Sequence, residues 1–224
     1  MIELEQVTCE LGGRVVLSDV DLTLAEHRVG IIGANGSGKS TLARLLNGLV
    51  LPTAGRVRVD GIDTAQDARA VRRRVGFVFQ DPDAQIVYPT VAEDLGFGLR
   101  NRGWERAEID QRVEATLCDY GLWELRDQPA HLLSGGEKQL LALAAVLITE
   151  PAYLVMDEPT TLLDLPNSRH IAGVLAGLPQ PVVVISHDLE LLAGFQRVVV
   201  LHDGAVVADG PASDSIATYR ALVT

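Results

Sequence analysis

The nine residues GANGSGKST, Gly33 to Thr41, constrain the chain more than any other stretch. They follow the apolar run RVGIIG and open a run with helical spacing, TLARLLNGL. Gly33, Gly38, Lys39 and Ser40 fit the pattern G-x-x-x-x-G-K-[ST]. Glycine lets backbone N–H groups curl around phosphate oxygens with no side chain in the way, and the helix start adds its partial positive charge. Ala34, Asn35, Gly36 and Ser37 complete the loop, and Thr41 follows on the helix. Lys39 is placed to reach the β- and γ-phosphates, and the Ser40 hydroxyl to ligate Mg²⁺. A glycine-rich turn that carries a lysine by chance is the bland alternative, and the strand before and helix after speak against it.

Around that loop the pattern is α/β. Strands are expected at Ile2–Cys9, Asp19–Leu24, Arg28–Gly33, Gly55–Val59 and Val75–Gln80, with a hairpin turn at Gly12-Gly13. Helices are expected to begin at Lys39, near Ala65, near Val91, near Arg106 and at Ser134. Two further strands, Ala152–Met156 and Pro181–Ser186, flank a helix from about Ser168 to Leu178, and a last hairpin turns at Asp203-Gly204. The runs YLVMD and VVVIS are almost wholly apolar, as strands covered on both faces of a parallel sheet should be. Residues 81–148 are helical and strand-poor. They read as a helical subdomain inserted into a core formed by 1–80 and 149–224, which also carries an antiparallel β-subdomain.

YLVMDEPT puts Asp157 and Glu158 at the carboxyl end of a buried strand, the edge where open α/β sheets collect their ligands. Asp157 suits the Mg²⁺ shell, and Glu158 suits polarisation of an attacking water. An acidic turn before a proline is the bland account of the pair. His187 follows the strand VVVIS and can donate a hydrogen bond to a γ-phosphate, although most lone histidines do nothing of the kind. Gln80 ends VGFVFQ and is otherwise a plain polar cap.

SGGEKQLLALAAVL, Ser134 to Leu147, opens as a capping box, Ser134 with Glu137. A cap does not explain Gly135 and Gly136, each of which costs a helix roughly 1 kcal/mol relative to alanine. Composition narrows the partners. The formal net charge is −11, from 19 basic and 30 acidic side chains, which argues against nucleic acid. The two cysteines lie far apart, which suggests a reduced, cytosolic setting. No signal peptide is read at the start. The longest apolar run, Leu140 to Ile148, is well short of the ~20 residues that span a bilayer, so any work at a membrane is expected to go through partners.

Together these residues resemble the nucleotide-binding subunit of ATP-binding cassette (ABC) transporters, over essentially the whole chain. GANGSGKST is similar to the Walker A loop, YLVMDE to Walker B, LSGGEKQ to the ABC signature, Gln80 to the Q-loop glutamine, Asp164 of TLLD to the D-loop and His187 to the switch histidine. The resemblance implies a P-loop NTPase fold of the ABC type and an ATPase using ATP and Mg²⁺, with Ser40, Gln80 and Asp157 around the metal. It implies that Ser134, Gly135, Gly136 and Glu137 form a second phosphate site, used on the ATP of a partner subunit, so that a two-fold dimer completes two sites. The resemblance implies further that ATP closes that dimer, that hydrolysis opens it, and that Gln80 couples the γ-phosphate to rotation of the helical subdomain and to membrane partners docked beside it.

Two departures stand out. Leu11 takes the place where many members stack an aromatic ring on adenine, so stacking of about 1–3 kcal/mol is expected to be absent. Lys138 and Leu140 stand where many signature sequences carry glutamine and arginine. QDPDAQIVYPTVAEDLGFGL, from Gln80 on, resembles the energy-coupling-factor (ECF) branch of vitamin and metal-ion importers. Asp81 and Asp83 are then expected to face the basic coupling helices of a transmembrane T component that works with a substrate-binding S component. The short C-terminus and the wording around the phosphate loop resemble the biotin-type ATPases. The resemblance implies a dimer on the cytoplasmic face of the cell membrane, a homodimer or a pair with a paralogue. The alternatives are a cobalt or nickel ECF ATPase, a non-ECF transporter, a soluble iron–sulfur assembly ATPase and a DNA-repair ATPase. The last normally carries long coiled coils or a zinc module where this chain has a compact helical insert.

Overall fold

The computed structural model describes residues 1–223. In chain order the elements are β1 (Ile2–Leu11), β2 (Arg14–Leu24), β3 (Arg28–Gly33), α1 (Lys39–Leu46), β4 (Ala54–Val59), β5 (Ile62–Asp63), α2 (Ala68–Arg74), β6 (Val75–Val78), α3 (Val91–Asn101), α4 (Arg106–Asp119), α5 (Gly135–Leu147), β7 (Tyr153–Asp157), α6 (Leu165–Gly177), β8 (Val182–Ile185), α7 (Leu189–Ala193), β9 (Arg197–His202), β10 (Ala205–Gly210) and α8 (Ala212–Val223). They divide into two compact units. The first holds Met1–Phe77, Ala152–Glu158 and the chain from Gly177 on; the second holds Val78–Pro151 and Pro159–Ala176.

The first unit contains two sheets. One is antiparallel, in the order β2-β1-β4-β5. The other runs β10-β9-β3-β8-β7-β6; β3 lies parallel to both β8 and β9, β7 lies parallel to β8, and β10 closes one edge antiparallel to β9. Every residue of β8 is buried, as are Leu154, Val155 and Met156 on β7 and Val29 to Gly33 on β3. Unbroken burial of this kind is why these strands read as apolar runs rather than alternating ones. Leu42, Leu45 and Leu46 of α1 are fully buried in the same unit. The fold is thus the α/β P-loop type expected.

The second unit is helical. Leu95 and Leu99 of α3, Ile109, Val113 and Leu117 of α4 and Leu141 of α5 are all buried. Asp94, only 4% exposed, turns the chain into α3 by accepting the N–H groups of Val87 and Tyr88 at 2.9 and 3.0 Å.

Several boundaries differ from the sequence reading, each for a local reason. Strand β6 stops at Val78 rather than Gln80, because the Phe79 N–H donates to the Gln85 side chain at 3.1 Å. Helix α2 starts at Ala68, where the Asp67 carboxylate accepts the Ala70 N–H. Helix α6 starts at Leu165, because Asp164 accepts the Asn167 N–H at 3.0 Å. The short α7, capped by Asp188, and the terminal α8 carry too little periodic signal to be read from sequence.

Candidate active site

Three adjacent parallel strands deliver the site. β3 leads into the phosphate loop, β7 ends on Asp157 and Glu158, and β8 is followed by Ser186 and His187. Ile31 lies opposite Ile185, and Ile185 opposite Asp157, so the three exits share one sheet edge.

The loop bends at Gly36 and Gly38, with φ of 81° and 99°. At Gly38 a Cβ would stand 2.7 Å from Leu17 Cδ2 and 2.8 Å from the Val16 carbonyl oxygen. Glycine is required there twice over, by conformation and by space. Gly33 is excluded from carrying a side chain by the Leu201 carbonyl oxygen and by Ser37 Oγ, which would be 2.6 Å from a Cβ. The loop is held from behind by a contact the sequence did not reveal: the Gly204 N–H donates to the Ser37 carbonyl at 3.2 Å, and the Gly204 carbonyl accepts the Ser18 N–H at 2.9 Å. The final hairpin, read only as a turn, thus buttresses the loop. Ser37 Oγ is buried without a hydrogen-bond partner, and Ala34, Asn35 and Gly36 are exposed.

Lys39 is 7% exposed and donates to the carbonyls of Gly33 and Ala34 at 2.8 and 2.9 Å. Burial pulls its ammonium below the ordinary lysine range, opposed by the negative charges of Glu158 and Asp157. Ser40 Oγ donates to Asp157 Oδ1 at 3.1 Å. Burial raises the Asp157 carboxyl, with the Ser40 hydrogen bond and Arg44 working against the rise. A buried carboxylate beside a hydroxyl offers two hard oxygen donors, a pair that fits Mg²⁺. That ion usually takes one or two protein oxygens and completes its shell with phosphate and water. Thr41 is buried in the first turn of α1.

Glu158 sits in the left-handed region, φ 52°, unusual for a residue with a Cβ and costing of order 1–3 kcal/mol. Its own N–H donates to the Ile185 carbonyl at 2.8 Å. Its Oε2 lies 2.8 Å from His187 Nδ1 and accepts the His187 N–H at 3.4 Å. The carboxylate is 11% exposed, whereas the imidazole is 61% exposed. The carboxylate therefore fixes the ring from one side and leaves Nε2 free to face solvent or a ligand.

The remaining sequence-predicted residues fall elsewhere. In the second unit, Ser134 and Glu137 form the expected capping box; Glu137 Oε2 accepts both the N–H and the hydroxyl of Ser134 at 2.7 Å. Gly135 is open, with nothing nearer to a would-be Cβ than the Leu162 carbonyl oxygen at 4.0 Å. Gly136 is not open. A Cβ there would overlap Asn167 Oδ1 and Cγ and stand 2.7 Å from Nδ2. The two glycines of one motif therefore answer to different demands, and Asn167 is a residue that sequence reasoning missed. Gln80 is exposed in a bend two residues past β6, and Asp164 caps α6. Asp83 pairs with Lys138 and is 62% exposed. In the first unit, Leu11 is 43% exposed beside the Gly12-Gly13 turn.

Comparison with known proteins places this geometry. The family profile described as ABC transporter matches residues 17–161. The biotin transport ATP-binding protein BioM of Rhizobium etli is 50% identical over 221 residues, covering 99% of this chain and 98% of that one. The energy-coupling factor transporter ATP-binding protein EcfA1 of Caldanaerobacter subterraneus is 44% identical over 203 residues, 87% of this chain and 73% of that one. Among solved structures, the dimeric post-hydrolysis state of the ATP-binding cassette MJ0796 bound to ADP and Pi has a TM-score of 0.84 at 29% identity, covering 95% of this chain and 99% of that one.

Proposed function

Because the chain belongs to the ABC transporter family and is an ATPase of that family, we propose that it powers an ECF-type importer of biotin. In this reading it works as a two-fold dimer bound through T and S membrane components at the cytoplasmic face. The observation that supports the cargo is the 50% identity with a biotin transport ATPase across nearly the full length of both chains. Among the described residues no helix is long and apolar enough to cross a membrane.

The chemistry follows from the residues at the sheet edge. The loop amides and the Lys39 ammonium bind the phosphates; a lysine already short of solvent loses little hydration on meeting them. Ser40 and Asp157 would hold Mg²⁺, which when bound neutralises phosphate charge, and Gln80 is the residue that answers to the γ-phosphate. The Glu158 carboxylate orients water and draws on its proton. His187, pinned by Glu158 through Nδ1, presents Nε2 toward the γ-phosphate. Ser134, Gly135, Gly136 and Glu137 serve the ATP of the partner subunit, and Asp164 lies at the shared face. Leu11 meets adenine without a stacking ring.

Two measurements test this. Glu158→Gln keeps an oxygen in place but removes its charge. ATP binding should survive, hydrolysis should fall by about 10²–10⁴-fold, and an ATP-held dimer should accumulate on size exclusion; near-normal turnover refutes the assignment of the base. Uptake of labelled biotin, nickel and cobalt by cells carrying the chain with its co-purifying membrane proteins tests the cargo. Metal uptake without biotin uptake refutes that part.

A further inference from the structure

The segment after Gln80 is tied to the helix bearing the signature glycines at two points one turn apart. Asp81 starts a 3₁₀ turn over Pro82–Ala84 by accepting the Asp83 N–H at 2.9 Å. From that turn Asp83 receives the Lys138 ammonium on both oxygens, at 2.7 and 3.0 Å. Gln85 spans the gap: its Oε1 accepts the Phe79 N–H at 3.1 Å, and its Nε2 donates to the Ala142 carbonyl at 2.6 Å. Lys138 and Ala142 are i and i+4 on α5, so they share a face about 6 Å apart along the axis.

The two contacts differ in setting: the Gln85–Ala142 bond is part-buried, whereas Asp83 is 62% exposed and meets a lysine that is not. Lys138 lies in the first turn of α5, where a cation opposes the helix dipole. Asp83 offsets that opposition, and the lysine side chain is only 16% exposed. Ala142 is fully buried in mid-helix, and Gln85 uses the second lone pair of its carbonyl. With both points held, the first turns of α5 are fixed in position and rotation against residues 79–85, and loss of either contact leaves the helix free to pivot about the other.

We propose that Asp83, Gln85 and Lys138 form a strut that makes movement of Gln80 and movement of the Ser134 helix end a single event. They are positioning residues for ATP turnover. This rests on the reading above, in which Gln80 senses the subunit's own ATP and Ser134 to Gly136 serve the partner's. Occupancy of one site is then passed directly to the phosphate site offered to the other subunit, and the two sites are coupled.

The test uses the purified full-length ATPase with Asp83→Asn, Lys138→Met, Gln85→Leu and the charge exchange Asp83→Lys with Lys138→Asp. The wild type should hydrolyse ATP with a Hill coefficient approaching 2, the limit for two coupled sites. Each single variant should lose turnover by about ten- to a hundredfold and fall toward hyperbolic kinetics. ATP affinity of the dilute subunit and its unfolding midpoint serve as controls, and the affinity should not change. The exchanged pair should regain most of the loss, which guards against a single variant that merely folds poorly. Singles with wild-type cooperativity, or an exchanged pair no better than the singles, overturn the strut. A wild type that is hyperbolic and indifferent to Ser134→Arg overturns the two-half-site reading instead, and the strut with it.

Discussion

Replacing the two signature glycines one at a time should give different results. Gly135→Ala adds a methyl group where nothing lies within ordinary contact, the nearest atom being the Leu162 carbonyl oxygen at 4.0 Å. The isolated chain should therefore gain the helix propensity of alanine, up to about 1 kcal/mol. Gly136→Ala gains the same propensity but drives a methyl group into Asn167, with even Nδ2 only 2.7 Å away. Overpacking in a rigid core costs about 1–3 kcal/mol; Asn167 is half-buried and the clashing atoms belong to its flexible side chain, so the variants should differ by the low end of that range, about 1 kcal/mol. At roughly 2–4 °C per kcal/mol for a chain of this size, their melting temperatures should separate by about 2–4 °C, with Gly136→Ala the lower. Asn167→Ala removes the three atoms nearest the new methyl group and should close most of the gap in the double variant. Activity should follow the other order of cause. Gly135→Ala, though stable, should lose hydrolysis by about 10²-fold if its bare backbone faces the partner's ATP. Scanning calorimetry and a phosphate-release assay on the same preparations decide the matter. Equal melting temperatures would refute the packing argument, and a fully active Gly135→Ala would refute the role given to the open glycine.

Two further outcomes are expected. The Asp157 carboxyl is raised by burial, so its protonated form favours the fold; that contribution is complete below the ordinary aspartate value of 3.8 and is lost as pH rises through the higher folded value. Asp157→Asn should flatten this limb of the stability–pH curve of the nucleotide-free protein, as read by unfolding midpoints, and an unchanged limb would show that the carboxylate is not paying a burial penalty. Leu11→Tyr should strengthen ATP binding by restoring a ring at an exposed position, with stacking of about 1–3 kcal/mol available, and should favour ATP over GTP; titration of both nucleotides with both proteins checks it, and identical affinities would rule the site out as an adenine contact.

The sequence by itself determined what depends on neighbours along the chain. The phosphate loop is legible because glycine spacing, lysine and serine must occur in that order for a backbone to wrap a phosphate. The strands YLVMD and VVVIS are legible because burial on both faces demands unbroken apolar runs. The Ser134–Glu137 box is legible because a cap is closed within one turn. Tertiary structure decided everything that joins distant positions. Only folding brings Gly204 behind Ser37, pins His187 to Glu158 at 2.8 Å, lays Asn167 on Gly136 and seats Lys138 on Asp83. One of these left a faint mark in the sequence, a lysine in a helix's first turn with its charge opposed to the dipole. The rest left none, because a hydrogen bond or a steric contact between residues far apart in the chain imposes no period and no spacing on the residues in between.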